Sequence, residues 1–151
     1  LEYGNCVWGP VYCGDQDKVE RVLRRATKMV PAVRGLPYQE RLKQLKMPSM
    51  HYRRERGDMI TVYQILTKKI RLESSDLFKP APENARTRGH TKKLLKPTAN
   101  KMIRQRFFSQ RVVSSWNALP DEVVTSETTN TFKNRLDNHW KHKMYLTRDN
   151  V

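Results

Sequence analysis

The sequence predicts a mainly α protein, in which a small helical bundle is followed by a basic linker with a candidate short β-hairpin and by two further helices. Apolar residues recur with the helical period in several segments that prolines separate. Three Trp, six Tyr and four Phe can form a modest core, although only 37% of the residues are apolar. The composition places a helical bundle at 1–79, the linker at 80–108 and a C-terminal helical segment at 109–151.

The first helix is predicted from Asp15 to the residues before Pro31, where apolar side chains share one face. Asp17 and Glu20 have the spacing of a capping box. The expected inward positions are Val19, Val22, Leu23, Ala26, Met29 and Val30. The other face carries Lys18, Arg21, Arg24, Arg25 and Lys28. A solvated helix face explains these cations as well as a nucleic-acid track does.

Two more helices are predicted before residue 67. Pro37 suits the first position of a short helix that runs to about Lys46. Ser49 is an N-cap candidate for a helix to about Leu66, and Gly57 inside it suggests a close helix crossing. We expect its arginines to point away from the core, namely Arg53, Arg54 and Arg56.

The second half of the chain combines short extended and helical patterns. One helical turn is expected around residues 77–78, and the segments 92–97 and 102–108 form the candidate hairpin. Ser109 is a candidate cap for a helix that Pro120 ends, and a last helix begins near Asn130. Trp116 and Trp140 fall on apolar helix faces, so we expect them in the core. The tail beyond about His142 is expected to be frayed.

Positive charge dominates the sequence and is unevenly placed. The 30 Lys and Arg residues exceed the 15 Asp and Glu residues, which gives a formal charge of +15. No acidic residue lies between Asn84 and Pro120, where nine cations are found. A polyanion such as nucleic acid is the partner that such a charge favours, and a solvated basic loop is the alternative.

The candidate nucleic-acid-binding residues are Arg86, Arg88, His90, Lys92, Lys93, Lys96, Lys101, Arg104, Arg106 and Arg111, with Arg21, Arg24 and Arg25 of the first helix. His90 is a candidate either to donate to a phosphate or to shape the turn after Gly89. Of Phe107 and Phe108, one is expected to be buried and the other available to stack on a base.

Catalytic and cofactor motifs are not found in the sequence. Asp121 and Glu122 are the only adjacent acids, and the first turn of a helix explains them better than a metal site does. The chain lacks a phosphate-binding glycine loop and zinc-ligand spacing. We therefore expect no catalytic residue, metal, cofactor or small-molecule substrate for this chain. Cys6 and Cys13 are expected to be structural thiols in a reducing, intracellular compartment. No apolar run exceeds three residues, so a transmembrane helix is not expected.

A series of short motifs in order resembles a known family. The N-terminal motifs are Val7-Trp8-Gly9-Pro10, Lys18-Val19-Glu20-Arg21-Val22, Leu36-Pro37-Tyr38 and Glu40-Arg41-Leu42. The later motifs are Arg56-Gly57-Asp58-Met59-Ile60, Thr87-Arg88-Gly89-His90, Phe107-Phe108-Ser109, Trp116-Asn117 and Leu119-Pro120. Together they resemble the thumb and post-palm region of non-LTR, LINE-type (jockey-like) retrotransposon reverse transcriptases, through about Trp140.

The resemblance implies a fragment of an RNA-directed DNA polymerase that holds RNA or DNA, such as an RNA–DNA hybrid, beside the rest of its parent polymerase. The parent would use magnesium, but the aspartate motif of the palm has no counterpart in this chain, which is therefore predicted to be inactive alone. Because the sequence opens on Leu1, we expect it to be a piece of a longer chain. A nuclear location follows from the same resemblance. A structural module that docks on an acidic partner, and a remnant without function, are the alternatives.

Overall fold

Helices account for most of the regular structure, which confirms the mainly α fold class. The computed structural model describes residues 2–10, 12–72, 74–82 and 89–147, without the side chains of residues 13, 74 and 75. The α-helices in these ranges are α1 Cys13–Lys28, α2 Tyr38–Gln44, α3 Met50–Leu66, α4 Ser74–Leu77, α5 Met102–Gln105, α6 Phe108–Asn117, α7 Asp121–Val124 and α8 Thr129–His139. Short 3-10 turns cover Pro31–Val33 and Lys141–Lys143. Among the described residues, no helix is long and apolar enough to span a membrane.

Contacts group the chain into two units. Unit 1 contains Leu1–Gly57 and Asp137–Val151, and unit 2 contains Asp58–Leu136. The boundaries fall inside α3 and α8. The segments expected from composition, 1–79, 80–108 and 109–151, follow a different grouping and stay a prediction.

The core of unit 1 forms where α1 and α2 meet the start of α3. Its buried residues are Leu23, Leu42 and Met50, with Val19, Tyr38, Met47 and Tyr145 packed against them. The predicted inward face of α1 is partly wrong, because Val22 is 52% and Met29 79% exposed. Leu23 is buried as predicted, and the other buried position among the described side chains of α1 is Thr27, four residues further along the same face.

The N-terminal boundary of α1 also differs from the prediction. The helix begins at Cys13, and its N-cap residue Tyr12 makes no side-chain capping bond. Asp17 therefore lies inside the helix, and the capping box predicted for Asp17 and Glu20 is wrong. The end of α1 before Pro31 is confirmed.

The N-cap of α3 is the predicted residue, but the helix crossing predicted at its glycine is not found among the described residues. The hydroxyl of Ser49 accepts a hydrogen bond from the Tyr52 amide at 3.3 Å, which confirms the N-cap. A Cβ at Gly57 would meet only the Asn5 side chain among the described residues, at an ordinary 3.7 Å. The close helix crossing expected at Gly57 is therefore wrong.

The C-terminal segment of unit 1 is packed rather than frayed. Trp140 is buried and meets the Tyr52 ring edge to face, with 6.3 Å between the ring centroids. The Ser49 amide donates to the Met144 carbonyl at 3.0 Å, and Thr147 is buried. The expectation of a frayed tail beyond His142 is thus wrong as far as Thr147; residues 148–151 lie outside the described residues.

The core of unit 2 centres on an aromatic stack. Phe132 of α8 lies between Tyr63 and Trp116, with centroid distances of 4.4 and 6.1 Å. The predicted core positions of Trp116 and Trp140 are confirmed, since both side chains are at most 3% exposed. Asp121 and Glu122 lie in the first turn of α7, as predicted.

The linker contains a short antiparallel pairing, as expected, but residues 92–97 pair with a different segment from the predicted one. Leu94 pairs with Pro80 in an isolated bridge, and the Leu95 amide donates to the Lys79 carbonyl at 2.8 Å. Residues 102–108 cannot supply the second strand, because Met102–Gln105 is helical. Ser109 is not the cap of α6, which begins at Phe108 with Phe107 as its N-cap.

Candidate nucleic-acid interface

A stripe of exposed cations runs along α1 in unit 1. Arg21, Arg24, Arg25 and Lys28 are spaced i, i+3, i+4 and i+7, so they share one side of the helix. They border an open groove of about 700 Å³, the α1 groove, which is also lined by Pro37, Tyr38, Gln39, Arg41 and Thr147. No carboxylate is among these described lining residues, so the groove gathers five positive charges.

Arg41 of α2 forms a buried part of the α1 groove and is only 4% exposed. Its Nε donates to the Thr27 hydroxyl at 3.2 Å. Its Nη1 donates to the Leu36 carbonyl at 2.8 Å, and its Nη2 donates to the Arg24 carbonyl at 3.3 Å. These acceptors are neutral, so the bonds fix the guanidinium without balancing its charge.

Two guanidinium groups of the same groove lie over the Tyr38 ring. The Arg24 and Arg41 Cζ atoms lie 4.8 and 5.4 Å from its ring centroid, within the range of cation–π attraction. The Tyr38 hydroxyl donates to Glu20 Oε1 at 2.5 Å. Burial and this hydrogen bond raise the pKa of Tyr38 well above its ordinary value of about 10, so the phenol stays protonated and adds no negative charge.

In unit 2, residues 89–96, the anchored segment, are bound to α6. Trp116 Nε1 donates to the Lys92 carbonyl at 2.8 Å. The Asn117 side-chain amide accepts from the Leu94 amide at 2.9 Å and donates to the Leu94 carbonyl at 2.8 Å. The backbone of this part of the basic segment is therefore fixed by hydrogen bonds to α6.

His90 supports the turn of the anchored segment. It is 4% exposed, and its Nε2 lies 3.0 Å from the Trp116 carbonyl. The Lys92 amide donates to His90 Nδ1 at 3.1 Å, so Nε2 carries the proton and donates to Trp116. Because both ring nitrogens are used by the backbone, the geometry favours the turn-shaping alternative over a phosphate contact.

The lysines of the anchored segment are held near the surface of unit 2. Lys92 Nζ donates to the Val124 carbonyl at 3.3 Å, and Lys96 Nζ donates to the Ser114 hydroxyl at 2.8 Å. Lys92 and Lys96 are exposed, whereas Lys93 is half-buried where its side chain passes Gly89. A carbonyl and a hydroxyl are neutral partners, so these hydrogen bonds do not offset the positive charge that Lys92 and Lys96 present to an anion.

Arg111 is engaged inside unit 2. Its guanidinium donates to both carboxylate oxygens of Asp58, at 3.1 and 3.0 Å, and lies 5.6 Å from the Phe108 ring centroid. A bidentate bond of this kind balances the positive charge of Arg111. Arg111 is therefore a weaker candidate for a phosphate contact than the sequence suggested.

The remaining candidates of unit 2 lie around α5. Lys101 and Arg104 are exposed, and Arg106 is half-buried. Phe107 is 50% exposed with the Arg104 Cζ 5.6 Å from its ring centroid, whereas Phe108 packs against Phe78. One phenylalanine of the pair is thus available at the surface, as expected, although neither lies on a strand. Arg86 and Arg88 lie outside the described residues.

The arginines of α3 are half-buried and bound to other residues of unit 1. Arg53 pairs with Glu2, and Arg54 donates to the Trp8 carbonyl at 2.8 Å while its Cζ lies 4.6 Å from the Trp8 ring centroid. Arg56 donates to Asp137 at 2.5 and 2.8 Å. They hold unit 1 together and do not form an open basic surface.

Arg41 is the residue of the α1 groove that the sequence reading missed. A signal was present, because Tyr38, Arg41, Leu42 and Leu45 fall at i, i+3, i+4 and i+7. An arginine on the apolar face of a short helix indicates a buried guanidinium with specific acceptors.

The described residues offer no cluster of three or more His, Cys, Asp or Glu side chains that could hold a metal ion. Cys6 is a half-buried free thiol. Comparison with known proteins finds no matching family model, curated protein or solved structure.

Proposed function

We propose that this chain is a nucleic-acid-binding C-terminal segment of a non-LTR retrotransposon reverse transcriptase, which holds template and primer through phosphate contacts and is not catalytic alone. The observation that carries the proposal is the α1 groove, where five cations meet and no carboxylate is found among the described lining residues. Positive charges gathered in this way repel one another, and a polyanion removes that repulsion.

The geometry of α1 suits a phosphate backbone. Arg21 and Lys28 are seven residues apart, which spans about 10 Å along a helix axis. Phosphates of one strand follow at about 3.4 Å along the axis of a duplex, so the stripe can face roughly three of them. Contacts to phosphate carry no base information, and we therefore expect binding without sequence preference.

The wider assignment rests on the resemblance. It supplies the RNA–DNA hybrid as partner, the rest of the parent polymerase as neighbour and magnesium as the cofactor of that parent. A nuclear location belongs to the same proposal.

A salt titration of binding to an RNA–DNA hybrid tests the proposal. With about six phosphate contacts, the affinity should fall by about 10³-fold between about 50 and 200 mM salt. The triple variant Arg21→Gln/Arg25→Gln/Lys28→Gln should lower the slope of log K against log salt by about 3. The control Arg34→Gln/Lys43→Gln/Lys46→Gln removes three exposed cations of unit 1 outside the groove and should keep the slope. A nearly flat slope for the unmodified chain would exclude nucleic-acid binding by phosphates.

A second candidate is a structural module that docks on an acidic partner, such as another part of its parent chain. Exposed apolar side chains in unit 1 favour it, since Tyr3 is 95% and Val7 88% exposed. Size-exclusion chromatography and hydrogen exchange distinguish the two functions. A docking module alone should self-associate or exchange rapidly, and oligonucleotide should not change either behaviour. A remnant without function would be folded but would bind neither partner.

A further inference from the structure

The buried guanidinium of Arg41 differs from the other cations of the α1 groove. It is 4% exposed, and its bonds go to one hydroxyl and two backbone carbonyls. No carboxylate of the described residues pairs with it. A buried charge with neutral partners is unfavourable unless an anion completes its surroundings, whereas the exposed cations are stabilised by water.

The described surroundings of Arg41 carry more positive than negative charge. Arg24 lies over the same Tyr38 ring, and Arg21, Arg25 and Lys28 border the groove. Glu20, the acid that touches Tyr38, is held by the Tyr38 hydroxyl and lies 3.3 Å from the His51 amide, and it does not line the groove.

The orientation of Arg41 is set before any ligand arrives. Three bonds from Nε, Nη1 and Nη2 fix the plane of the guanidinium against α1 and the Leu36 carbonyl. The guanidinium N–H groups not used in these bonds have no acceptor among the described residues. A planar group with fixed N–H donors is the preferred protein partner of a phosphate oxyanion.

We infer that the α1 groove holds a single phosphate group at a defined subsite, with Arg41 as its buried donor and Arg21 and Arg25 at its rim. This inference rests on the proposed function but makes a narrower claim. Binding along a nucleic-acid backbone needs only surface charge, whereas the subsite needs a buried donor in a fixed orientation. The phosphate is either an internal phosphodiester or a terminal monoester, since both present anionic non-bridging oxygens to an N–H donor.

The first test observes Arg41 directly. A buried Nε–H exchanges slowly with water, so the Arg41 side-chain signal should be visible in nitrogen-edited NMR spectra of the whole chain. Inorganic phosphate that replaces chloride at constant ionic strength should shift this signal saturably and leave the backbone amide signal of exposed Arg34 nearly unchanged. Equal small shifts of both signals would overturn the inference, because they would reflect ionic atmosphere alone.

The second test uses matched variants of equal charge. Arg21→Gln/Arg25→Gln should weaken phosphate binding by about tenfold, since two charge-assisted contacts are lost. Arg34→Gln/Lys43→Gln should bind phosphate as the unmodified chain does, because both residues are exposed outside the groove. Equal weakening in the two double variants would overturn the subsite.

Arg41→Lys probes the fork geometry while it keeps the charge. If it folds, as circular dichroism would show, it should lose the phosphate effect on the midpoint of thermal unfolding. An unchanged phosphate effect in folded Arg41→Lys would contradict the inference. If Arg41→Lys does not fold, the inference is tested by the NMR signal of Arg41 in the unmodified chain and by phosphate binding of the two double variants.

Competition distinguishes the two sources of the phosphate. An oligonucleotide with a terminal 5′-phosphate and the same strand with a 5′-hydroxyl should shift the Arg41 signal equally if the subsite takes a phosphodiester. A stronger shift with the phosphorylated strand assigns a terminal monoester, and no shift with either strand would overturn the inference. Hybrid binding without any Arg41 response would reject the subsite alone, whereas a phosphate response without hybrid binding would reject the proposed function.

Discussion

Asp137 connects α8 to α3 within unit 1 through two side chains. It accepts a hydrogen bond from the Tyr52 hydroxyl at 2.8 Å and two from the Arg56 guanidinium at 2.5 and 2.8 Å. Burial and the bond to Asp137 raise the pKa of Tyr52 well above its ordinary value of about 10. The protonated phenol is therefore favoured in the folded protein more than in the unfolded chain.

This shift predicts a loss of stability in alkali. Above about pH 10 the unfolded chain releases the Tyr52 proton while the folded chain keeps it. Fewer protons on the unfolded state mean that the free energy of unfolding falls as pH rises, by up to about 1.4 kcal/mol per pH unit for one such group. The stabilising contribution is complete below pH 10.

Urea unfolding between about pH 9 and 11 measures this dependence, in the range above and below the ordinary tyrosine pKa. Tyr52→Phe should make the fall shallower without abolishing it, because the raised pKa of Tyr38 acts in the same direction. Tyr3→Phe should leave the fall unchanged, because Tyr3 is 95% exposed. The same alkaline slope in the Tyr52→Phe variant would show that another group dominates.

His90 carries a second prediction at the scale of single residues. Its replacement by alanine leaves the Lys92 amide and the Trp116 carbonyl without their ring partners. We expect His90→Ala to lower the free energy of unfolding by about 2 kcal/mol. His139→Ala, at an exposed position, should change it by less than about 0.5 kcal/mol.

The effect on binding separates the two roles of His90. If His90 only shapes the turn, the salt slope of hybrid binding should be unchanged under conditions where His90→Ala is folded. A slope reduced by about 1 would instead assign His90 a phosphate contact.

Helix α1 illustrates how far the elements could be predicted. Its existence and its end before Pro31 follow from the apolar period and the proline. Its buried face could not be read correctly, because Thr27 is polar. Thr27 is buried only because its hydroxyl donates to the Arg24 carbonyl and accepts from Arg41, a partner on another helix. The groove cations on α1 were foreseen, and their buried neighbour Arg41 was not.

The pairing of the linker was mispredicted for a similar reason. Local pattern suggested extended structure around Leu94, which is correct, but the partner depends on contacts distant in sequence. The side chain of Asn117 bonds both polar groups of the Leu94 backbone, and residues 79–81 occupy the remaining edge. No local period encodes such contacts, since they form only when α6 is in place.

The turn at the start of the anchored segment gives a prediction at the scale of elements. Gly89 has φ +132°, and an added Cβ would come within 2.5 Å of the Lys93 side chain. Lys93 can move aside, but a residue with a Cβ is strained at this φ. Gly89→Ala should cost about 1–2 kcal/mol in urea unfolding. Gly35→Ala is the matched control, since a Cβ there meets no described atom within 4 Å. Equal costs at the two glycines would contradict the strain argument.

For the whole molecule, the division into two units predicts how the chain loosens. Trp140 lies in the core of unit 1 and Trp116 in the core of unit 2. Trp140→Phe should accelerate amide exchange mainly in the start of α3, where its ring meets Tyr52, and Trp116→Phe mainly in α6 and α8. Each substitution should cost about 1–3 kcal/mol. If both variants accelerate the same amides equally, the units unfold as one body and the division has no energetic meaning.

Fixing the anchored segment on α6 has a consequence for the entropy of association. A mobile basic loop would lose about 1–2 kcal/mol of backbone freedom per residue when a ligand orders it. Hydrogen bonds from Trp116 and Asn117 order the backbone of this segment when the protein folds. The backbone that carries Lys92 and Lys96 is therefore ordered before a ligand binds. Any anion that reaches them would encounter a preorganised backbone, so the ordering cost left at this segment would come mainly from its side chains.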